Sequence, residues 1–336
     1  MRLVGYSLRR LALMPLQILV VLLFTFVLSR TANQSPVYQV LGPYASPAAV
    51  KHMSHALGLD QPIYVQFARY IQHLARGDMG VSIVTGRPVL SDILDRLPAT
   101  LELITISLVF AIVIGVSLGV ITVMSKRRVT NSATTAYGML AGSFPDFIVG
   151  LGLVYLFFVV LGWAPAPLGQ LDPALTPPAR ITGSIVIDSI LGGNWRALGS
   201  AIAHLALPVA TMVIVYTPGI LKIVRSTVRE LQNSEMLTVA RAFGLPRRLL
   251  MWYVLRNALP PIVTTIGITY GYLLGADVLV ERVFSWNGVG LYSVQAITSA
   301  DFAGLQAFVL FATLFSLLVY LLVDIINALA DPRVRY

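Results

Sequence analysis

"TVARAFGLPRRLLMWYVLRNALPPI", Thr238 to Ile262, is the stretch on which the fold turns. It carries Arg241, Arg247, Arg248 and Arg256 in a chain that is 57% hydrophobic and only 12% charged. Gly244 and Pro246 divide it into two helical pieces, and long apolar runs lie on both sides. The first piece has a legible start and stop. Ser234 can accept from the free N–H groups of a helix start, and Glu235 falls in the first turn, where the helix dipole favours an acid. Met236, Val239, Ala240 and Phe243 follow i, i+3, i+4, i+7 spacing and make one apolar stripe. Gly244 permits the left-handed turn that stops a helix, and Pro246 suits the first position of the next. The first helix is only ~15 Å long at about 1.5 Å per residue, too short to cross a membrane. A stub of this kind can lie on anionic lipid or seat itself as a knob in a partner's groove.

The neighbouring runs define the class. A soluble domain carries about a quarter charged residues, twice what this chain has. Six runs reach the ~20 apolar residues that a membrane helix needs: Leu11–Ser29, Leu101–Met124, Ala136–Leu161, Ala201–Leu221, Ile262–Val280 and Ala303–Val323. They are too long and continuous for barrel strands. The sequence therefore predicts an all-α polytopic membrane protein with six transmembrane helices. The 19 uncharged residues of Leu11–Ser29 exceed a signal-peptide core, and no small-residue cleavage site follows, so this run reads as a retained span.

Charge sets the expected orientation. With the N-terminus inside, segments 1–10, 125–135, 222–261 and 324–336 lie inside and hold fifteen Lys/Arg, against three in the short outer segments 162–200 and 281–302. This satisfies the positive-inside bias and places both termini in the cytoplasm. The net charge of +9 is accounted for by these loops, and no aromatic-interleaved basic tract supports nucleic-acid binding. Residues 1–29 read as a peripheral N-terminal span, 30–100 as an extracytoplasmic loop region, and 101–336 as the core domain with loop 222–261. Within 30–100, Val65, Ala68, Ile71 and Gln72, with Tyr64, Phe67 and Leu74 near them, suggest short amphipathic helices over the outer face. The loop "WAPAPLGQLDPALTPPARITGSIVID" reads as an irregular, ordered cap.

Most catalytic and metal patterns are absent or misplaced. Cysteine is missing, which removes thiolate chemistry. There is no phosphate-cradling G-x-x-x-x-G-K-[ST] and no H-E-x-x-H. A G-x-S-x-G string, Gly115 to Gly119, lies inside the second span, where a nucleophile elbow cannot form. The same spacing lets helices approach closely, and it recurs at Gly138–Gly142 and Gly271–Gly275. His52, His55 and His73 lie in the outer loop; they are either solvated or a metal set, and spacing alone supplies no convergent geometry. Two acids fall within apolar runs. Asp146 follows Pro145, which can open the third span. Asp277 is near the outer end of the fifth, within reach of Arg282. Acids at bilayer depth cost about 2.5–3.5 kcal/mol and usually face a cavity or a partner. Both are candidate pathway residues, and a proton relay in a self-sufficient secondary transporter is the alternative use.

The opening stretch also carries a resemblance. "TVARAFGL…LRNALPP" resembles the cytoplasmic signature loop of ABC-importer permeases, and more narrowly the B-type permease subunit of dipeptide and oligopeptide importers. "LGLDQPIYVQF" (57–67), "GDMGVSI" (77–83), "GRPV" (86–89), "RLPATLEL" (96–103), "VERVFSWNGVG" (280–290) and "DPRVRY" (331–336) extend it in order along the chain. The chain departs from the family where Glu-Ala-Ala is replaced by Thr238-Val239-Ala240, where Trp-Pro-Gly becomes Trp286-Asn287-Gly288, and where Pro-Gly-Asp-Pro is absent after the first span. The resemblance implies a type I importer permease fold and a coupling helix that docks on separate ATPase subunits. The docking set is then Ser234, Glu235, Met236, Val239, Ala240, Arg241, Ala242, Phe243, Gly244, Arg247 and Arg248. It also implies a second homologous permease, two ATP-binding subunits or domains, an extracytoplasmic binding protein and a peptide substrate. No cofactor is expected in this chain, since ATP and magnesium belong to the ATPase subunits. Nickel, glutathione or a sugar is the alternative cargo.

Overall fold

In the computed structural model, residues 2–31, 41, 44–56, 58–125 and 127–330 are described. The "DPRVRY" stretch, Lys126 and most of the segment after the first span lie outside them. Among the described residues the chain is helical, with one isolated bridge between Val81 and Pro88. Five helices are long and apolar enough to cross a membrane, and a bent pair makes the sixth.

Helix α1 spans Arg2–Thr31, α2 Pro47–Ala56 and α3 Ile63–Ala75. The second span lies in α4, Val89–Met124, which begins twelve residues before the apolar run, inside the segment expected as loop. "VLSDILDRLPAT" turns helical because its acids find partners: Asp95 pairs with Arg87 at 2.7 Å and Arg180 at 2.6 Å, and buried Asp92 faces Arg87 and the Thr85 hydroxyl. The third span is not the continuous helix expected from Ala136–Leu161. It is α5, Arg128–Ala141, then α6, Asp146–Leu153, extended by a π-helical turn through Val160, with a 102° bend between the halves. Pro145 causes the break, because it cannot donate to the preceding turn and starts α6 as its cap.

After α7 (Ile185–Leu191) comes α8, Trp195–Gln232, then α9, Glu235–Ala242, and α10, Arg247–Ala276. The second half of the opening stretch is thus no short piece. It is the start of a 30-residue helix that runs through Pro260 and Pro261, as membrane helices tolerate when their neighbours hold them. The span expected to end at Val280 ends at Ala276. Short α11 (Val278–Val283) and α12 (Val289–Thr298) precede α13, Phe302–Ala330.

Small residues set the helix crossings. A Cβ on Gly119 would stand 2.6 Å from Val224, so α4 and α8 approach as the Gly115–Gly119 spacing predicts. In α10 the seam is Gly267 and Gly271, packed on Val323 and Tyr320 of α13; Gly275 meets nothing. Gly138 meets nothing either, and Gly142 lies at the break, so that predicted pair makes no helix seam. Helix α1 lies along α13, held by an Arg10–Asp324 ion pair and a Gln306–Ser29 hydrogen bond of 3.0 Å. Tyr70 of α3 stacks on Phe26 of α1, and Phe67 packs against the same ring at a tilt.

The two ends of the bundle differ. One end is a tied cap. Asp188 accepts from the backbone N–H groups of Ile181, Thr182 and Gly183, and Glu102 accepts from the Ser184 hydroxyl. Fully buried Glu281 accepts from the Thr100 hydroxyl and from Leu291 N–H at 2.8 Å, while Trp286 donates its indole N–H to Ala99. Gly288 is needed here because a Cβ would fall 2.3 Å from both Glu281 and Thr100. The other end carries α9.

Candidate functional site: a protruding hairpin and a buried acid cluster

Helix α9 hangs between the two rods α8 and α10. Ser234 caps it as expected, accepting from Leu237 N–H and donating to Leu231 O at 2.7 Å. Leu237, 3% exposed, is the one α9 side chain buried against the bundle. The stop is a Schellman turn: Leu245 N–H reaches Ala240 O, and Gly244 N–H reaches Arg241 O. Gly244 has φ +74° in open space, so its glycine is required by backbone conformation rather than by crowding. Pro246 is the cap of α10, and Arg247 takes the first helical position expected of Pro246. The entry and exit angles of the stub are therefore fixed by its own backbone.

The stripe read from the sequence points away from the bundle. Phe243 is 82% exposed; Met236, Val239, Leu245 and Leu249 are exposed beside it, and Ala240 is half-buried. Ala242 and Glu235 are exposed as well. Arg241 is committed inside the chain, donating to Gln232 O at the end of α8 at 3.1 Å. A cation there complements the negative helix terminus. Arg247 and Arg248 flank the knob in solvent. The surface is convex, apolar at its tip and basic at its base, which suits insertion into an acidic-rimmed groove.

The two intramembrane acids lie within electrostatic reach of one another. Asp146 opens α6 at the bend, with Oδ1 accepting from Phe147 N–H at 2.7 Å and Oδ2 accepting from the Tyr216 hydroxyl of α8 at 3.3 Å. Asp277 follows α10 and is 1% exposed, and neither oxygen has a hydrogen-bond partner among the described residues. The expected local partner is not used: Arg282 is exposed, and the charged neighbours of Asp277 are Glu281 and Asp146. Tyr216 and Glu281 were not singled out from the sequence. Tyr216 hides in an apolar run, where a lone phenol reads as an ordinary lipid-facing aromatic; Glu281 lay within the quoted "VERVFSWNGVG" but its burial depends on a turn brought in from α4. The three loop histidines do not converge. His55 bonds Asp60 at 2.7 Å and His73 bonds Asp78 at 2.9 Å, and no metal-holding group of three occurs among the described residues.

The chain is a helical membrane bundle with a short stub displayed between two of its long rods, α8 and α10. The comparisons name its class. Residues 111–336 match the binding-protein-dependent transport system inner membrane component family, and residues 3–104 match the N-terminal region of such membrane components. The chain belongs to the binding-protein-dependent transport system inner membrane component family. It is 37% identical over 315 residues to the probable D,D-dipeptide transport system permease protein DdpB of Escherichia coli, covering 94% of this chain and 92% of that one. It is 32% identical to the dipeptide transport system permease protein DppB of Alkalihalophilus pseudofirmus and 30% to the glutathione transport system permease protein GsiC of Salmonella paratyphi A, each over 99% of both chains.

Proposed function

We propose that this chain is one of two homologous permease subunits of a peptide importer, and that α9 is the element on which separate ATP-hydrolysing subunits act. The exposed apolar knob of α9 is the observation that carries the proposal: Phe243 is almost wholly free of the chain, and Met236 and Val239 leave about half of their surface uncovered beside it. ATP and magnesium are then handled by the ATPase pair, and an extracytoplasmic binding protein delivers the peptide. The basic loops put the α9 end and both termini in the cytoplasm. Binding of ATP can drive the bundle between inward-open and outward-open states only if the ATPase pair grips the two states unequally. Ser234, Leu237 and the Schellman turn serve that grip by keeping the stub from pivoting freely.

The test is Phe243→Asp, alongside deletion of Gly244, in the reconstituted complex. Both variants should abolish peptide-stimulated ATP hydrolysis; retained stimulation rejects the coupling role. Dipeptide cargo is favoured by the relatives named for dipeptide transport, and the Salmonella relative supports glutathione as the second reading. Thermal-shift binding of the delivering protein to a panel of dipeptides, tripeptides and glutathione separates them.

A further inference from the structure

We propose that Asp146, Tyr216 and Asp277 form a subsite for the ammonium group of the cargo; the proposal rests on the importer reading above. The argument begins with Asp277. It sits at the junction of two helices, as the C-cap of α10, where the dipole favours a cation, and as the N-cap of α11, where its side chain makes no capping bond. It is an acid, almost wholly buried, with both oxygens unpartnered among the described residues and with two further acids as its charged neighbours. A buried carboxylate left this way is costly unless something positive answers it.

The rest of the cluster sorts by what it still has to offer. Glu281 is already satisfied by the Thr100 hydroxyl and Leu291 N–H. Asp146 is not used up. It is half-buried at the 102° bend, beside the exposed residues Gly142 to Pro145, whereas Asp277 is almost wholly buried. Tyr216 lies within electrostatic reach of both carboxylates and bonds the first. The donor set is two carboxylates and a phenol oxygen, acceptors for the three N–H bonds of an ammonium. A calcium ion would want six or more oxygens, and no group of three acidic or imidazole side chains is placed to hold a metal ion among the described residues. An unmodified peptide carries this ammonium at its N-terminus.

The experiment uses the full complex in nanodiscs and the probe dialanine, with N-acetyl-dialanine as the neutral control. Dicyclohexylcarbodiimide modifies carboxyl groups in apolar surroundings, and mass spectrometry reads its attachment to Asp146 and Asp277. Dialanine should protect both, and the acetylated control should not. Tyr216→Phe should raise the protecting concentration about tenfold, the size of one lost bond to a charged group. Asp146→Asn, which keeps the cap on Phe147, should do the same for protection of Asp277. Equal protection by both probes, no protection, or labelling that follows pH alone overturns the proposal. Binding-protein-stimulated ATP hydrolysis, measured on the same nanodiscs, reports separately on the importer reading.

Discussion

Phe243→Ala is the most discriminating perturbation the structure offers. At 82% exposed, the ring contributes almost nothing to the chain's own stability, so its removal should leave thermal unfolding within about 0.5 kcal/mol of the parent. If α9 seats in a partner's groove, the same ring becomes buried on docking. Full burial of a phenylalanine is worth about 1.5–3 kcal/mol, so its loss should weaken attachment of the ATPase subunits by ~10- to 150-fold. Leu237→Ala is the opposite case. Leu237 is 3% exposed, and truncating a buried leucine costs about 2–5 kcal/mol, so this variant should unfold at lower temperature whether or not a partner is present. The assay pairs a thermal melt of the detergent-purified chain with titration of fluorescent ATPase subunits onto the chain in nanodiscs. Phe243→Ala should move only the titration. Unchanged docking, or a melt lowered as far as that of Leu237→Ala, would refute the argument that the stub is built for a partner rather than for the bundle.

Tyr137→Phe removes the hydroxyl that donates to Ile214 O at 3.0 Å, the carbonyl that Pro218 leaves without its usual partner; the orphaned group should cost about 1–3 kcal/mol, read as a drop in melting midpoint. Gly288→Ala drives a methyl to within 2.3 Å of Glu281 and Thr100 and should destabilise the cap end by more than about 2 kcal/mol, with faster amide exchange over residues 280–292 and little change at α9. Asp78 is held below the usual carboxylate range by the Gly80 N–H and then by His73. That bond is therefore fully present above about pH 4 and lost as pH falls further, so the protection factor at Gly80, the exchange rate corrected for its intrinsic pH dependence, should fall only on acidification below that range; a fall between pH 6 and 7 with none below pH 4 would contradict it.

Much of this architecture is legible in the residues because the bilayer narrows the choices. Four of six spans contain their predicted apolar runs, a fifth ends four residues early at Ala276, and α9 begins and ends at the predicted cap and glycine. The misreadings share one cause. Hydropathy reports that a segment is oily and says nothing of where its helix bends or starts. Ala136–Leu161 is apolar apart from Ser143 and Asp146, so Pro145 was the main hint of the break, and a lone proline does not distinguish a kink from a right-angle turn. Conversely, "VLSDILDRLPAT" looks like loop because its charges are visible and their partners, Arg87 and Arg180, come from segments before and after it. The acid cluster was half seen. Each aspartate announces itself in an apolar run, but their neighbourhood is set by the bend in one span and the end of another.

That placement bears on how force could reach the cargo. The α9 stub is covalently continuous with α8 on one side and, through a four-residue turn, with α10 on the other. Helix α8 carries Tyr216 to the cluster, and α10 delivers Asp277 at its far terminus. On the proposed coupling role, a displacement of the stub would act on both of these acceptors through helix and short turns alone. The third acceptor, Asp146, belongs to a span tied to α8 by two further bonds, Tyr137 to Ile214 and Arg225 to Thr135 at 2.7 Å, which bracket Pro218. Proline is where a rod can bend without breaking hydrogen bonds it never had. Moving α8 about Pro218 would change the Tyr216–Asp146 separation and the access to Asp277 in a single step, so the affinity for a positive group would differ between the two states of the bundle. Such a difference is what alternating access requires of any site along the path.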